Sequence, residues 1–327
     1  SFGSGRHSTG RQNAFNLLYK GVVVYSSTGY YQNFSDAHNL MSYRHTRAHN
    51  SLLVNGIGQP YSTEGYGSVM RAMGGQHISY CLGDASHAYR SISNDPMWVD
   101  YFKQAGIEQT PENGFGATPL TKYRRHVLML HPHTVIVYDE LEASEAVRWE
   151  WLLHSPTEFK IDAVKKTLST DNKTKGWVAV TQLFGGHVFT LSQTDRFVVP
   201  PAITGAEYPN QWHLTARVDG CSATRFLAII QIGDEAVSII NRDGDTFNVG
   251  DWTIKAVLDA SKAPELTVSH RTEQAVFSYG TDNPALNGNF YSRQYTGSSL
   301  LYDEIDGAYQ VVEMTDRSPI STRVVNQ

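Results

Sequence analysis

The 327-residue chain has only two cysteines, Cys81 and Cys221, which lie far apart in the sequence. So few cysteines exclude a small domain held together by a disulfide framework, although one disulfide between the two stays open. The chain contains no run of about 18 apolar residues, so no transmembrane helix is expected. Charged residues make up 18% of the chain and the net charge is −5, so no nucleic-acid partner is expected.

Helical periodicity is nearly absent as well. A single short helix is predicted, with Asp95 as N-cap, Pro96 at the first helical position and an end near Gln104. Elsewhere, short apolar runs with period-two alternation are separated by turn residues, which is typical of antiparallel sheets. The sequence therefore predicts an all-β fold, a large antiparallel β-sandwich (supersandwich) with at most one or two short helices.

Turn residues divide the apolar runs into strands. Asn55-Gly56 favours a tight turn, because both positions readily take positive φ. Other breaks are predicted at Lys20-Gly21, at Pro132 within 127–138, at Gly185-Gly186 between 178–184 and 187–191, and at Gly233-Asp234 between 226–232 and 236–240. The last two are predicted hairpins. Residues 1–205 are predicted to form the sandwich with the site motifs, and 206–327 a further antiparallel region continuous with it.

The first 60 residues are rich in side chains that suit one kind of chemistry. Cleavage of a uronate polymer by β-elimination needs a cation or amide to neutralise the carboxylate, a base for the C5 proton, and an acid for the departing oxygen. Arg, His, Asn, Gln and Tyr side chains can meet these needs. Asp and Glu are scarce there, which disfavours a glycoside hydrolase with two catalytic carboxylates.

Four sequence blocks occur in an order and spacing that resemble the heparinase II/III-like polysaccharide lyases. The blocks are Gly5-Arg6-His7-Ser8-Thr9-Gly10-Arg11-Gln12-Asn13-Ala14-Phe15, Arg47-Ala48-His49-Asn50-Ser51-Leu52-Leu53-Val54-Asn55-Gly56, Gly83-Asp84-Ala85-Ser86-His87-Ala88-Tyr89, and Arg124-Arg125-His126-Val127-Leu128-Met129-Leu130 with the strand that follows it. The resemblance covers roughly residues 1–155.

The resemblance implies a secreted or periplasmic bacterial lyase that cleaves an acidic, uronic-acid-containing polysaccharide, with alginate favoured and a glycosaminoglycan next. It also implies an α/α-toroid domain, normally in the same polypeptide, that supplies much of the acid and base chemistry. This chain alone would then lack a complete active site. The alternative is a non-catalytic carbohydrate-binding or structural β-sandwich module.

Site residues follow from the same resemblance. His7 and Tyr43 are predicted to be catalytic, with His7 facing the substrate. The residues predicted to bind substrate are Gln12, Asn13, Tyr30, Arg44, Arg47, His49 and Asn50. For Gln12 and Asn13, the pairing of buried backbone groups near the site is the competing role.

Many members of the family bind a metal, commonly zinc, through two histidines and an aspartate. Here Thr9 replaces the second histidine, and Ser26 or Ser27 replaces the aspartate, so that only His49 is left. One histidine alone is a poor zinc site. We therefore predict no metal and no other cofactor, with His45 or His38 as the only candidates that could restore the site.

Overall fold

The computed structural model of the chain describes residues 8–172, 174–234, 240–286, 289–318 and 324–325. His7 lies outside these residues. The predicted all-β fold is confirmed, because antiparallel strands dominate the described chain and form two large sheets. None of the described helices is long and apolar enough to cross a membrane.

Strands β1 and β2 form a separate hairpin, and the first large sheet contains β3 to β12. In chain order these are β1 (Leu17–Tyr19), β2 (Val22–Tyr25), β3 (Leu52–Val54), β4 (Tyr66–Gly74), β5 (Ile78–His87), β6 (Leu120–Leu130), β7 (Thr134–Ser155), β8 (Lys160–Asp162), β9 (Thr167–Asn172), β10 (Trp177–Gly185), β11 (Thr190–Thr194) and β12 (Trp212–Gly233). The main path across the sheet is β4-β5-β6-β7-β12-β10-β9-β8, with β3 beside β7 and β11 beside β12.

The second large sheet is built from the C-terminal part of the chain, and a small hairpin, β18 with β19, lies outside it. The strands are β13 (Ile240–Asp243), β14 (Thr246–Val249), β15 (Trp252–Ala256), β16 (Leu266–His270), β17 (Val276–Tyr279), β18 (Ala285–Leu286), β19 (Asn289–Phe290), β20 (Ser299–Ile305), β21 (Ala308–Met314) and β22 (Val324–Val325). The order across the sheet is β13-β14-β15-β16-β17-β20-β21-β22.

Strands β7 and β12 form the centre of the first sheet and bury both faces. On β7, Val135 and Val137 belong to one apolar core, whereas Ile136 and Tyr138 belong to a second core shared with the other sheet. Successive side chains of a strand point to opposite faces, so an uninterrupted apolar run is what a doubly covered strand requires. The second core joins the two sheets into a sandwich.

A buried polar cluster also links the sheets. The Tyr279 hydroxyl donates to Oε1 of Glu140 at 2.8 Å, and the His126 Nε2–H group lies 2.9 Å from the same oxygen. Lys122 Nζ lies 2.8 Å from the other carboxylate oxygen. The carboxylate is therefore compensated, which a charge buried between two sheets requires.

The local predictions are confirmed where a turn or cap determines them. The helix α1 spans Pro96–Gln104, and Oδ1 of Asp95 accepts the N–H of Met97 at 3.0 Å. Asn55 and Gly56 take φ values of 56° and 81°, as the predicted turn requires. The other helical segments in the described chain are one turn or little more: Asn39–Tyr43, Thr46–Ala48 and Pro111–Asn113.

One predicted hairpin is wrong. Strands β10 and β11 are separated by Gly185-Gly186 but do not pair with each other; β10 pairs with residues 226–233 of β12 and β11 with residues 213–217. β12 has 22 residues, so it can pair with β10 and β11 side by side along its length. β10 and β11 are much shorter and would form fewer hydrogen bonds with each other. Of the hairpin predicted at Gly233-Asp234, residues 236–239 lie outside the described chain, and β13 pairs with β14 in the second sheet.

Both cysteines are free thiols, so the disulfide that the sequence left open does not form. The predicted boundary at 205/206 falls in the connection between β11 and β12, both of which belong to the first sheet. The change from one sheet to the other comes between β12 and β13. The division into 1–205 and 206–327 stays a prediction.

Candidate functional site

The N-terminal motif is held against the first sheet by backbone and amide hydrogen bonds. The N–H of Gln12 donates to Oε1 of Gln59 at 2.7 Å, and Nε2 of Gln59 donates to the carbonyl of Gln12 at 3.1 Å. Asn13 takes a φ of 59°, and its Nδ2 donates to the carbonyls of Gly83 and Tyr123 at 3.2 and 3.3 Å. The amide of Asn13 thus satisfies backbone groups on β5 and β6, which favours the structural role for this residue.

Arg44 is enclosed by aromatic side chains. Only 2% of it is exposed, its Nε donates to Oδ1 of Asn39 at 3.1 Å, and its Nη1 donates to the carbonyl of Ser8 at 2.7 Å. Its guanidinium carbon lies 5.0 to 5.9 Å from the ring centroids of Tyr31, Phe34, Tyr43 and Trp98. Burial lowers the pKa of Arg44. None of the described carboxylates lies within ion-pair distance, so the rings supply the electrostatic compensation.

The burial of Arg44 bears on its predicted role in binding substrate. A guanidinium enclosed on four sides cannot contact a polysaccharide in this arrangement. Its bond to Ser8 and its contact with Tyr43 instead connect it to the two predicted catalytic positions, since Ser8 directly follows His7 in the chain. The geometry favours a positioning role for Arg44.

The tyrosines predicted for the site lie around this enclosure. Tyr43 is half-buried, with its ring 6.3 Å from that of Tyr31, which is 47% exposed. Its hydroxyl makes no hydrogen bond to a described residue. The Tyr30 hydroxyl, in contrast, donates to the carbonyl of Pro209, and its ring lies 5.1 Å from that of Tyr208. Tyr43 and Tyr31 thus have no hydroxyl hydrogen bond to a described residue, and of the two Tyr43 is the one that the family resemblance names.

Asn50 is fully buried and organises the base of the site. Its Oδ1 accepts the N–H of His154 at 2.7 Å and lies 3.0 Å from Nδ1 of the same residue, while its Nδ2 donates to the carbonyl of Phe15 at 2.9 Å. His154 Nε2 lies 2.8 Å from the carbonyl of Arg47. Asn50 therefore joins the motif segment, β7 and the segment before β3.

His49 is buried and engaged on one side only. Its Nδ1 lies 2.8 Å from Oγ of Ser27, and its Nε2 has no hydrogen bond of good geometry to a described residue. Burial, together with the charge of Arg11, lowers the pKa of His49 to about 3. The ring is thus neutral near pH 7, and in this position it does not face open solvent.

His45 and His38, the two histidines that could restore a metal site, are satisfied as neutral rings. His45 Nδ1 accepts the N–H of Arg47 at 3.1 Å, and its Nε2 lies 2.9 Å from the carbonyl of Gly114. His38 Nε2 accepts the N–H of Tyr30 at 3.0 Å, and its Nδ1 lies 2.6 Å from the carbonyl of Val199. In each ring one nitrogen accepts and the other donates, so neither has a lone pair left for a metal.

A cavity of about 160 Å³ opens beside Arg47 and His154. Its lining residues are Ser42, Arg47, Leu53, Leu152, His154, Thr194, Arg196, Phe197, Val198, His213 and Thr215. Arg196, Phe197 and His213 are not predictable from the sequence, because these residues lie outside the four motif blocks and no local pattern distinguishes them. A second cavity, of about 260 Å³, lies beside Arg11, Gln12 and Asn13 and reaches Cys81 on β5.

Comparison with known families decides the assignment. The family described as Heparinase II/III-like, C-terminal, matches residues 2–217, which is more than half of the 327 residues. The chain belongs to this family. The matched residues include all four motif blocks and β1 to β11, together with the start of β12. No curated protein matches the chain.

Solved structures of heparinases share the fold of this family member. Heparinase III is similar with a TM-score of 0.55 and 15% identity, covering 84% of this chain and 36% of that one. The heparan sulfate lyase HepC from Pedobacter heparinus gives 0.54 and 12%, covering 88% and 38%. The heparinase III BT4657 gene product gives 0.52 and 14%, covering 91% and 36%. The chain thus spans little more than a third of each of these proteins.

The metal that the family resemblance implies does not fit the residues described here. The position of the second histidine is Thr9, and Ser27 offers a neutral hydroxyl that is already bonded to His49. No group of three His, Cys, Asp or Glu side chains among the described residues could hold a metal ion. Two hydroxyls and one imidazole lack the charged donor that zinc sites of this type use. The absence of a metal stays a prediction, since His7 lies outside the described chain.

Proposed function

We propose that this chain forms the β-sandwich wall of a lyase that cleaves a uronic-acid-containing polysaccharide by β-elimination. The observation that carries the proposal is the family match over residues 2–217, which includes every motif residue. The polymer is acidic, with an alginate or a glycosaminoglycan as substrate. A secreted or periplasmic location belongs to the proposal, since such polymers are met outside the cytoplasm.

The geometry supports a shared active site, in which this wall and a second domain each supply part of the acid and base chemistry. His45 and His49 are buried and their pKa values are lowered by burial, so neither is placed to take a proton from a polymer in the cleft. Tyr43 is half-buried and its hydroxyl makes no hydrogen bond to a described residue, which leaves it free of described partners for proton transfer, and His7 is the other candidate. We propose that an α/α-toroid domain supplies the remaining acid or base, and that this chain alone is nearly inactive.

The test measures the ultraviolet absorbance of the unsaturated uronate product. The full-length protein, its His7→Ala variant and its Tyr43→Phe variant are incubated with alginate, hyaluronan, chondroitin, heparan sulfate and ulvan. Tyr43→Phe removes only the hydroxyl, so the contact with Arg44 is kept. Tyr295→Phe is the matched control, because Tyr295 is 57% exposed and lies near the second sheet.

We expect product from one class of polymer, a loss of about 100-fold or more in kcat for His7→Ala and Tyr43→Phe, and no change for Tyr295→Phe. Product from no polymer would favour a carbohydrate-binding or structural module. Full activity of the isolated chain would contradict the shared active site and place the whole acid and base pair on this wall.

A further inference from the structure

The cavity beside Arg47 and His154 has the size of a single six-membered ring. Its volume is about 160 Å³, and a protein cavity of roughly 150 Å³ accommodates a benzene-sized ligand. Its walls come from four parts of the chain: the segment before β3, β3 with the end of β7, the connection after β11, and the start of β12. The cavity is therefore a separate feature from the aromatic enclosure of Arg44.

Two guanidinium groups that form no ion pair with a described carboxylate line this cavity. Arg47 uses Nε for His45 Nδ1 at 3.0 Å and Nη2 for the carbonyl of Asn113 at 2.7 Å, and the carboxylate of Glu150 acts on it electrostatically from beyond ion-pair distance. Arg196 is exposed, and its side chain has no partner in the described chain. The nearest acid in sequence, Asp195, accepts a hydrogen bond from Asn210 instead.

Arginines that form no direct ion pair, beside a cavity, favour an anionic ligand. A guanidinium binds carboxylate or sulfate oxygens in a planar, often bidentate arrangement. One of the two is held in place, since Arg47 is bonded at Nε and Nη2, while the exposed Arg196 can adjust to the ligand. A fixed cation with a movable one can hold an anion without a large cost in ordering.

The rest of the lining suits the ring of a sugar. Leu53, Leu152 and Val198 provide apolar surface, and Phe197 adds an aromatic ring. The Phe197 ring is held edge-on by His213 and His38, at centroid distances of 5.3 and 4.9 Å. Sugar-binding sites commonly combine such apolar surface with a few converging polar groups.

His213 supplies a polar atom in addition to the arginines. Its Nδ1 lies 3.5 Å from the Thr28 hydroxyl, whereas its Nε2 is buried and has no hydrogen bond of good geometry to a described residue. The backbone carbonyl of Arg47 acts on this ring, and a sugar hydroxyl in the cavity would give Nε2 a hydrogen bond of good geometry.

We propose that this cavity is a binding subsite for one anionic sugar residue, with its carboxylate or sulfate on Arg47 and Arg196 and its ring against Phe197. The subsite rests on the proposed function, because it names a place where the acidic polymer is held. It also extends the site to residues that the family motifs do not include.

Isothermal titration calorimetry of the full-length protein tests the subsite with three tetrasaccharides. The hyaluronan tetrasaccharide carries carboxylates only, the heparan sulfate tetrasaccharide carries carboxylates and sulfates, and chitotetraose is neutral. Arg196→Ala is the test variant, and its exposure makes misfolding no concern. Arg90→Ala is the matched control, since Arg90 is also exposed and lines neither cavity.

We expect one or both anionic tetrasaccharides to bind and chitotetraose not to bind. Arg196→Ala should weaken binding about tenfold, the effect of losing one charge-assisted hydrogen bond, and raise KM with little change in kcat. Arg90→Ala should stay within about twofold of the unmodified protein. Which of the two anionic probes binds more tightly identifies the anion as carboxylate or sulfate.

The outcomes separate this inference from the proposed function. Binding that Arg196→Ala weakens, in a protein that forms no unsaturated product, supports the subsite and contradicts the lyase. Product formation with binding and KM unchanged in Arg196→Ala supports the lyase and overturns the subsite. Equal binding of chitotetraose, an equal loss in Arg90→Ala, or no binding of any probe also overturns the subsite.

Discussion

Asp139→Asn should destabilise the protein strongly, because it leaves a buried guanidinium without its counter-charge. Arg125 and Asp139 are 2% and 1% exposed and form a bidentate pair, with Nε to Oδ1 at 2.7 Å and Nη2 to Oδ2 at 2.8 Å. The Trp151 Nε1–H group donates to Oδ2 of the same carboxylate at 2.8 Å. An amide at this position keeps the volume but loses the charge and one acceptor.

The magnitude follows from the burial of the pair. Removing one partner of a buried ion pair costs about 3–5 kcal/mol, because the remaining charge stays buried without compensation. A native protein is stable by about 5–15 kcal/mol, so the variant loses a large part of its free energy of unfolding. At about 2–4 °C per kcal/mol for a chain of several hundred residues, the Tm should fall by roughly 10 °C.

Urea unfolding followed by tryptophan fluorescence measures this change, and Glu142→Gln is the control. Glu142→Gln also replaces a carboxylate with an amide, but Glu142 is exposed and pairs with Lys122 at the surface. The free energy of unfolding of this variant should therefore lie within about 0.5 kcal/mol of that of the unmodified protein. An Asp139→Asn variant as stable as Glu142→Gln would show that the Arg125 charge is not buried as the structure has it.

Two further predictions concern local features of the chain. Asp95→Ala removes the acceptor for the Met97 N–H and should lower the free energy of unfolding by about 1 kcal/mol; Asp95→Asn should lose much less, and chemical denaturation compares the two. The folded-state pKa values of His49 and His213 are lowered, mainly by burial, from 6.5 to about 3 and about 4. Below pH 6.5 the unfolded chain takes up protons that the folded chain does not, so the Tm should fall between pH 6.5 and pH 4 and less steeply in His49→Gln. A Tm that rises as the pH is lowered from 6.5 to 4 would contradict the burial of these rings.

The sequence predicted the features that local interactions determine. The cap at Asp95, the positive φ of Asn55 and Gly56, and the alternation along the strands depend on neighbouring residues alone. Strand pairing cannot be predicted in the same way, because it depends on residues that are distant in the sequence. β10 and β11 each pair with β12 and not with each other. The full length of the 22-residue β7 is not readable from the sequence either, because its residues 142–146 are mostly exposed and lack an apolar run.

For the site, the sequence identified the region but not the direction of each side chain. Tyr43 and Arg47 lie at the surface of a cavity or enclosure, whereas Arg44, His49 and Asn50 are buried within a few residues of them. No periodic pattern separates these two groups, because the segment 39–50 folds as short turns and not as a regular helix or strand. Arg196 and His213 come from a different part of the chain: the pairing of β12 with β7 places His213 opposite His154, and the pairing of β11 with β12 brings the segment with Arg196 to the same place.

Two buried arginines have the same structural task by different means. Arg44 donates to the carbonyl of Ser8 and Arg125 to the carbonyl of Asn13, so that the two guanidiniums hold both ends of the segment 8–13. Arg125 is neutralised by Asp139, whereas the described partners of Arg44 are aromatic rings and neutral oxygens, and four cation–π contacts at about 0.5–2 kcal/mol each can offset a burial cost of several kcal/mol. The aromatic enclosure of Arg44 thus fixes the backbone that follows His7 without a counter-charge from the described residues, whereas Arg125 fixes the other end of the segment with one.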